Sequence, residues 1–157
     1  MIDRILQLLG STGAKPSARN TDELQLAVAA LLVEAARMDS HFDAAERNLI
    51  KRLLAERFKL SSEATERLLS DAEQAAERSA QLFRFTQLVV ERLEPEERVR
   101  IIEMLWEVAY SCGAPSPEED ALLRRIAGLI YVSDWARGAA RKRVLQRKNV
   151  AGRECSI

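Results

Sequence analysis

Apolar residues recur along this chain at helical spacing, in blocks parted by short polar turns, and no segment shows the strict alternation of a half-buried strand. Met1 to Leu9 carries apolar side chains at 2, 5, 6, 8 and 9, enough for a short amphipathic helix, and a linker containing Gly, Ser, Thr and Pro follows to Asn20. Asn20 with Glu23 reads as a capping box opening a helix to about Met38. Leu26 through Ala36 is apolar almost all round, which predicts a central, enclosed helix. Asp43 with Glu46 repeats the start signal ahead of a stripe formed by Leu49, Ile50, Leu53, Leu54 and Phe58. Ser61 caps a third, more polar helix through about Arg78, and a fourth from about Ala80 is expected to turn Leu82, Phe83, Val89 and Leu93 inward. Glu94-Pro95-Glu96-Glu97 places Pro in a first turn with acids at the positive helix end, before Ile101, Ile102, Leu105, Trp106 and Ala109. Ser116-Pro117-Glu118-Glu119 combines an N-cap, a Pro at the first helical position and a capping Glu, and leads into Leu122, Leu123, Ile126, Leu129 and Ile130. Ser133 opens the last helix.

The pattern occurs twice. Ala36–Ile50 reappears as Ala109–Leu123 at a constant offset of 73 residues (109 − 36), so that Ala36 meets Ala109, Ser40 meets Gly113, Glu46 meets Glu119 and Leu49 meets Leu122. Each copy is a helix, a tight polar turn and a second helix. The expected fold is all-α: a compact bundle of seven to eight helices built from two pseudo-symmetric helical hairpins. Residues 1–20 form a short helix and linker, 21–147 the helical domain, and 148–157 a basic tail.

Composition agrees with one domain. The chain has 157 residues, 47% of them hydrophobic, enough to bury a single core. Lys plus Arg equals Asp plus Glu at 24 each, so no overall charge draws the protein to nucleic acid or to a membrane. The apolar run Ala27–Val33 is far below the roughly 18 residues of a membrane span, and Asp3 and Arg4 interrupt the start before a signal-peptide core develops, which points to the cytoplasm. Cys112 and Cys155 do not make the dense even pattern of a disulfide-stapled domain, and read as free thiols.

A small-residue helix end, Asp-Gly or a variant, about five residues, a Glu and then an apolar helix resembles the signature of the TerB-like family. This family is named for a bacterial tellurite-resistance determinant and also occurs as a domain in some membrane-tethered DnaJ-like co-chaperones. Here the signature is Ala36-Arg37-Met38-Asp39-Ser40 through Glu46-Arg47-Asn48-Leu49, then Cys112-Gly113-Ala114-Pro115-Ser116-Pro117-Glu118-Glu119, and the resemblance spans roughly Glu23 to Val144. Where the family carries Asp-Gly in each turn, this chain keeps Asp39 with Ser40 in the first copy and Cys112 with Gly113 in the second. The resemblance implies a stress-associated helical domain linked to tellurite resistance. It also implies a protein partner, within a membrane-associated stress complex, and an acidic turn surface that takes a metal ion or that partner. Self-association stays open beside it.

Asp39, Asp43 and Glu46 lie around one turn, where their carboxylates can converge on a hard cation such as calcium or magnesium. If the two hairpins pack about a pseudo-twofold axis, Glu118 and Glu119 add oxygens from the equivalent turn. The simpler account is capping: Asp43, Glu46 and Glu119 satisfy helix N-terminal amides, and one carboxylate can both cap and bind. The spacing is too short for an EF-hand loop. His41, the single histidine, has no Cys or His at a zinc-ligand spacing and reads as a turn residue. Cys112 invites metalloid-thiol chemistry as a reactive thiolate, against the commoner role of a small buried hydrophobe.

Trp106 and Tyr110, at i and i+4, read as core packing, whereas Trp135, if exposed, marks a contact surface. The cluster Arg137, Arg141, Lys142, Arg143, Arg147 and Lys148 reads as a solvated helix face, with no nucleic-acid-binding motif beside it. Gly-rich phosphate loops, Gly-x-Ser-x-Gly elbows and His-Glu-x-x-His pairs are all missing. The favoured reading is a non-enzymatic partner-binding domain tuned by a divalent cation. The alternatives are a small metal-dependent enzyme using the same carboxylates, and thiol-based metalloid handling through Cys112.

Overall fold

The computed structural model of the chain describes residues 18–38, 42–77, 82–111 and 113–151. These residues contain seven α-helices and no strand: α1 (Ala18–Arg37), α2 (Ala44–Phe58), α3 (Ser62–Ala76), α4 (Leu82–Arg92), α5 (Pro95–Ala109), α6 (Pro117–Leu129) and α7 (Asp134–Ala151). The amphipathic stretch expected at Met1–Leu9 lies outside the described residues, as do Asp39, Ser40, His41, Cys112 and Cys155. No described helix is long and apolar enough to cross a membrane.

Helix α1 is the hub. Every residue from Ala27 to Val33 is fully buried, and so is Ala35. A helix without a polar face must be covered on all sides, and α1 packs against α2, α3, α4, α5 and α6. Its many alanines let those neighbours approach closely while Val28, Leu31 and Leu32 fill the space between them. Helix α1 begins at Ala18, upstream of the box expected at Asn20, because neither Gly nor Pro interrupts Ala18–Arg19.

The predicted caps set the starts of α2, α3, α6 and α7. Asp43 accepts the Glu46 N–H at 2.8 Å, Ser61 accepts the Ala64 N–H at 3.2 Å, and Ser133 accepts the Ala136 N–H at 3.1 Å. Glu94 and Ser116 each form a capping box with the Glu three residues on, and each is followed by Pro at the first helical position.

One core expectation fails. Phe83 is 61% exposed, whereas Phe85, Thr86 and Val89 are buried. The inward face of α4 is set by the i, i+4 pair Phe85 and Val89, which leaves Phe83 on the far side of the helix. The buried Thr86 hydroxyl donates to the Phe83 carbonyl at 2.8 Å, which satisfies it inside the helix.

The last helix closes the bundle by packing against α5. Trp106 is buried, as its pattern predicts, and its indole N–H donates to the Arg137 carbonyl at 3.1 Å. The Tyr110 ring lies 5.8 Å from the Trp106 ring, and Arg141 and Lys148 both sit over Tyr110.

Candidate functional site

A side-chain hydrogen bond joins the two repeat turns. Glu46, in the first turn of α2, is only 6% exposed, and its Oε1 accepts the Ser111 hydroxyl at 3.2 Å. Ser111 follows directly on the end of α5, 65 residues away in sequence, so this bond ties the first turn to the start of the second. Under the offset of the repeat Ser111 corresponds to Met38, and comparing the two copies therefore gives no sign of this partner.

Glu119, the counterpart of Glu46, is equally enclosed at 5% exposure. Its carboxylate accepts the Ser116 N–H at 3.1 Å while its own N–H donates to the Ser116 hydroxyl at 3.1 Å, the reciprocal box read from the sequence. Charged side chains are seldom this enclosed unless they are engaged, and both repeat glutamates are engaged at a helix start. Gly113 holds a φ of +84°, in the left-handed region that a side chain resists, so the second turn requires the glycine.

The remaining candidates divide. Asp43 is exposed and commits one oxygen to its cap, and Glu118 is exposed in the first turn of α6. Asp39 lies outside the described residues. Among the described residues no three His, Cys, Asp or Glu side chains cluster closely enough to hold a metal ion. The structure therefore draws Glu46 toward the second turn through Ser111, and leaves Asp43 and Glu118 facing solvent.

Sequence reasoning missed the neighbouring brace. Arg47, next to Glu46, lies 2.6 Å from Glu66 and 2.7 Å from Glu73, both on α3, and Lys51 adds a 3.3 Å contact to Glu66. Hydrogen bonds from Arg47 and then Lys51 hold the Glu66 carboxyl down at about 2, and the hydrogen bonds to Glu66 and then Glu73 raise the Arg47 guanidinium. This brace fixes the first turn of α2, and hence Glu46, against α3. An i, i+4 acid–base spacing would have signalled such a pair within a helix, but here the partners come from two helices.

A second clamp sits at the far end of the repeat. Arg98 donates through Nε to the Leu93 carbonyl and through Nη1 to the Ile130 carbonyl, both at 3.1 Å, and so joins the α4–α5 corner to the end of α6. The basic cluster of α7 is also largely engaged. Arg143 and Arg147 pair with Glu103, Arg147 with Glu107, and Lys148 donates to the Tyr110 carbonyl at the end of α5.

A family profile described as tellurite resistance protein TerB matches residues 25–142, from within α1 to within α7. No curated protein and no solved structure matched the chain. The profile covers well over half of the sequence and both repeat turns, and the chain therefore belongs to the TerB family of helical, tellurite-resistance-type domains.

Proposed function

We propose that this TerB-family domain is a non-enzymatic binding module of a tellurite-linked stress response. It engages a protein partner through the surface around its two repeat turns, and a divalent cation, calcium or magnesium, tunes that surface. The observation carrying this reading is the enclosed Glu46 carboxylate bonded to Ser111 of the other turn, with its counterpart Glu119 enclosed in the same way. Hard cations prefer several carboxylate and carbonyl oxygens on short loops. Asp43 and Glu118 are exposed beside these starts, which keeps their carboxylates open to solvent ions. Tying the turns together through Ser111 also gives a partner one continuous surface.

The test is a titration of chelator-treated protein with calcium, magnesium, manganese and zinc, read by amide chemical shifts. Saturable shifts confined to residues 42–47 and 113–119 are expected. Asp43→Asn combined with Glu46→Gln should weaken the response by at least about tenfold and leave the fold intact, because Asn caps a helix about as well as Asp. Featureless titrations with all four ions would remove the cation and leave a metal-free interaction domain.

A further inference from the structure

A groove of about 650 Å³ runs between the start of α1 and the face of α3, and none of its described lining residues belongs to a repeat turn. Its apolar floor is Leu26, Leu60 and Leu68, each half-buried. Lys59, in the left-handed region at φ +53°, ends α2 and lets the Leu60 N–H reach back to the Ala55 carbonyl at 3.2 Å, which sets Leu60 in the groove. Exposed Asp22, Glu23 and Asp71 make the border acidic, with Arg67 as the one cation among the described lining residues.

We propose that this groove is an intramolecular docking site, and that its occupant is the chain's own segment Met1–Leu9. Three observations select that occupant. The segment's Ile2, Ile5, Leu6, Leu8 and Leu9 recur at the spacing that gives a helix an apolar stripe, of the kind the leucine floor accepts. Arg4, with Lys15 behind it, outweighs Asp3 and complements the acidic border. The attachment point is adjacent, since α1 starts at Ala18 and its residues 22–26 line the groove. The intervening residues 10–17 can span up to about 28 Å, so the segment reaches the groove from its own chain. A tether this short gives an effective concentration of about millimolar, so a contact with a Kd of about 0.1 mM is filled roughly ten to one. Docked there, the segment shields apolar surface that would otherwise face solvent.

The experiment compares amide spectra of the full chain with those of its Ile5→Asp/Leu9→Asp variant. The expected result is a set of shift differences centred on Gln25, Leu26, Leu60 and Leu68. A synthetic peptide of residues 1–17, added to the variant, should restore the original positions with half-saturation at about 0.1 mM or tighter, and Asp71→Lys should weaken that titration several-fold. Identical groove amides in the two full-length proteins would overturn the proposal, as would a peptide that shifts other residues. Groove shifts in the unaltered chain that fade on dilution would overturn it in favour of exchange between copies.

Discussion

Tyr131 stands in an unusual backbone position. Its φ is +58°, and the Val132 N–H reaches back to the Ala127 carbonyl at 2.9 Å, the closure that ends a helix through one left-handed residue. Glycine commonly fills that place because a β-carbon there costs about 1 kcal/mol. The Tyr131 side chain is 77% exposed, so burial offsets little of that strain. Replacing Tyr131 with Gly should therefore raise the free energy of unfolding by about 1 kcal/mol, measured by urea titration. A loss of stability would show that the ring makes a stabilising contact. Trp135, the second residue of α7, is likewise exposed at 83%, and periodicity could not place Tyr131 because a Tyr stands at the left-handed position where a Gly usually announces such a turn. The starts of α2, α3, α6 and α7, by contrast, are legible because a cap is local chemistry: Asp43, Ser61, Ser116 and Ser133 accept amides within three residues of themselves, and Pro95 marks the start of α5.

At the scale of elements, α5 and α7 hold together through opposite charges laid along their facing sides. Glu103 receives Arg143 at 2.5 Å and Arg147 at 3.3 Å, and Glu107 receives Arg147 at 3.0 Å. Both glutamates are largely covered while their arginines are about half exposed, so each bridge straddles the edge of the packed interface. The sequence shows six cations crowded at the end of the chain but not the acids that meet them, which lie about forty residues earlier and become neighbours only through the fold. The same limit hid Ser111 from Glu46, and Phe83 was misplaced because one apolar residue too many stood on α4 for its periodicity to choose a face. Changing Glu103 and Glu107 together to Gln should lower stability by about 1 kcal/mol at low salt, with the deficit shrinking toward zero as ionic strength rises. A deficit insensitive to salt would assign the effect to packing instead of charge.

Across the whole molecule, acid stability turns on carboxylates that folding perturbs in opposite directions. Burial raises Glu34 on α1, with Arg37 opposing it, so Glu34 favours the folded state below its ordinary value and that contribution is lost as pH rises through the raised one. Glu66 has the reverse sign. Folding lowers it from 4.5 to about 2, chiefly through the Arg47 hydrogen bonds and then Lys51, so its contribution is complete above about 4.5 and disappears as pH falls toward 2. The Arg47–Glu66–Glu73 brace is also what holds α2 against α3, beside the Glu46 turn, so acid should loosen that corner as Glu66 takes up its proton. Glu66→Gln removes the titrating group while keeping its size. The variant should be less stable than the parent at pH 7 and converge on it as pH falls from about 5 to about 2, followed by the midpoint of urea unfolding at each pH. Because Glu66 is nearly half exposed, added salt should narrow the gap at neutral pH. Two parallel curves across that interval would mean that the brace contributes through geometry alone and that acid lability must arise elsewhere in the bundle.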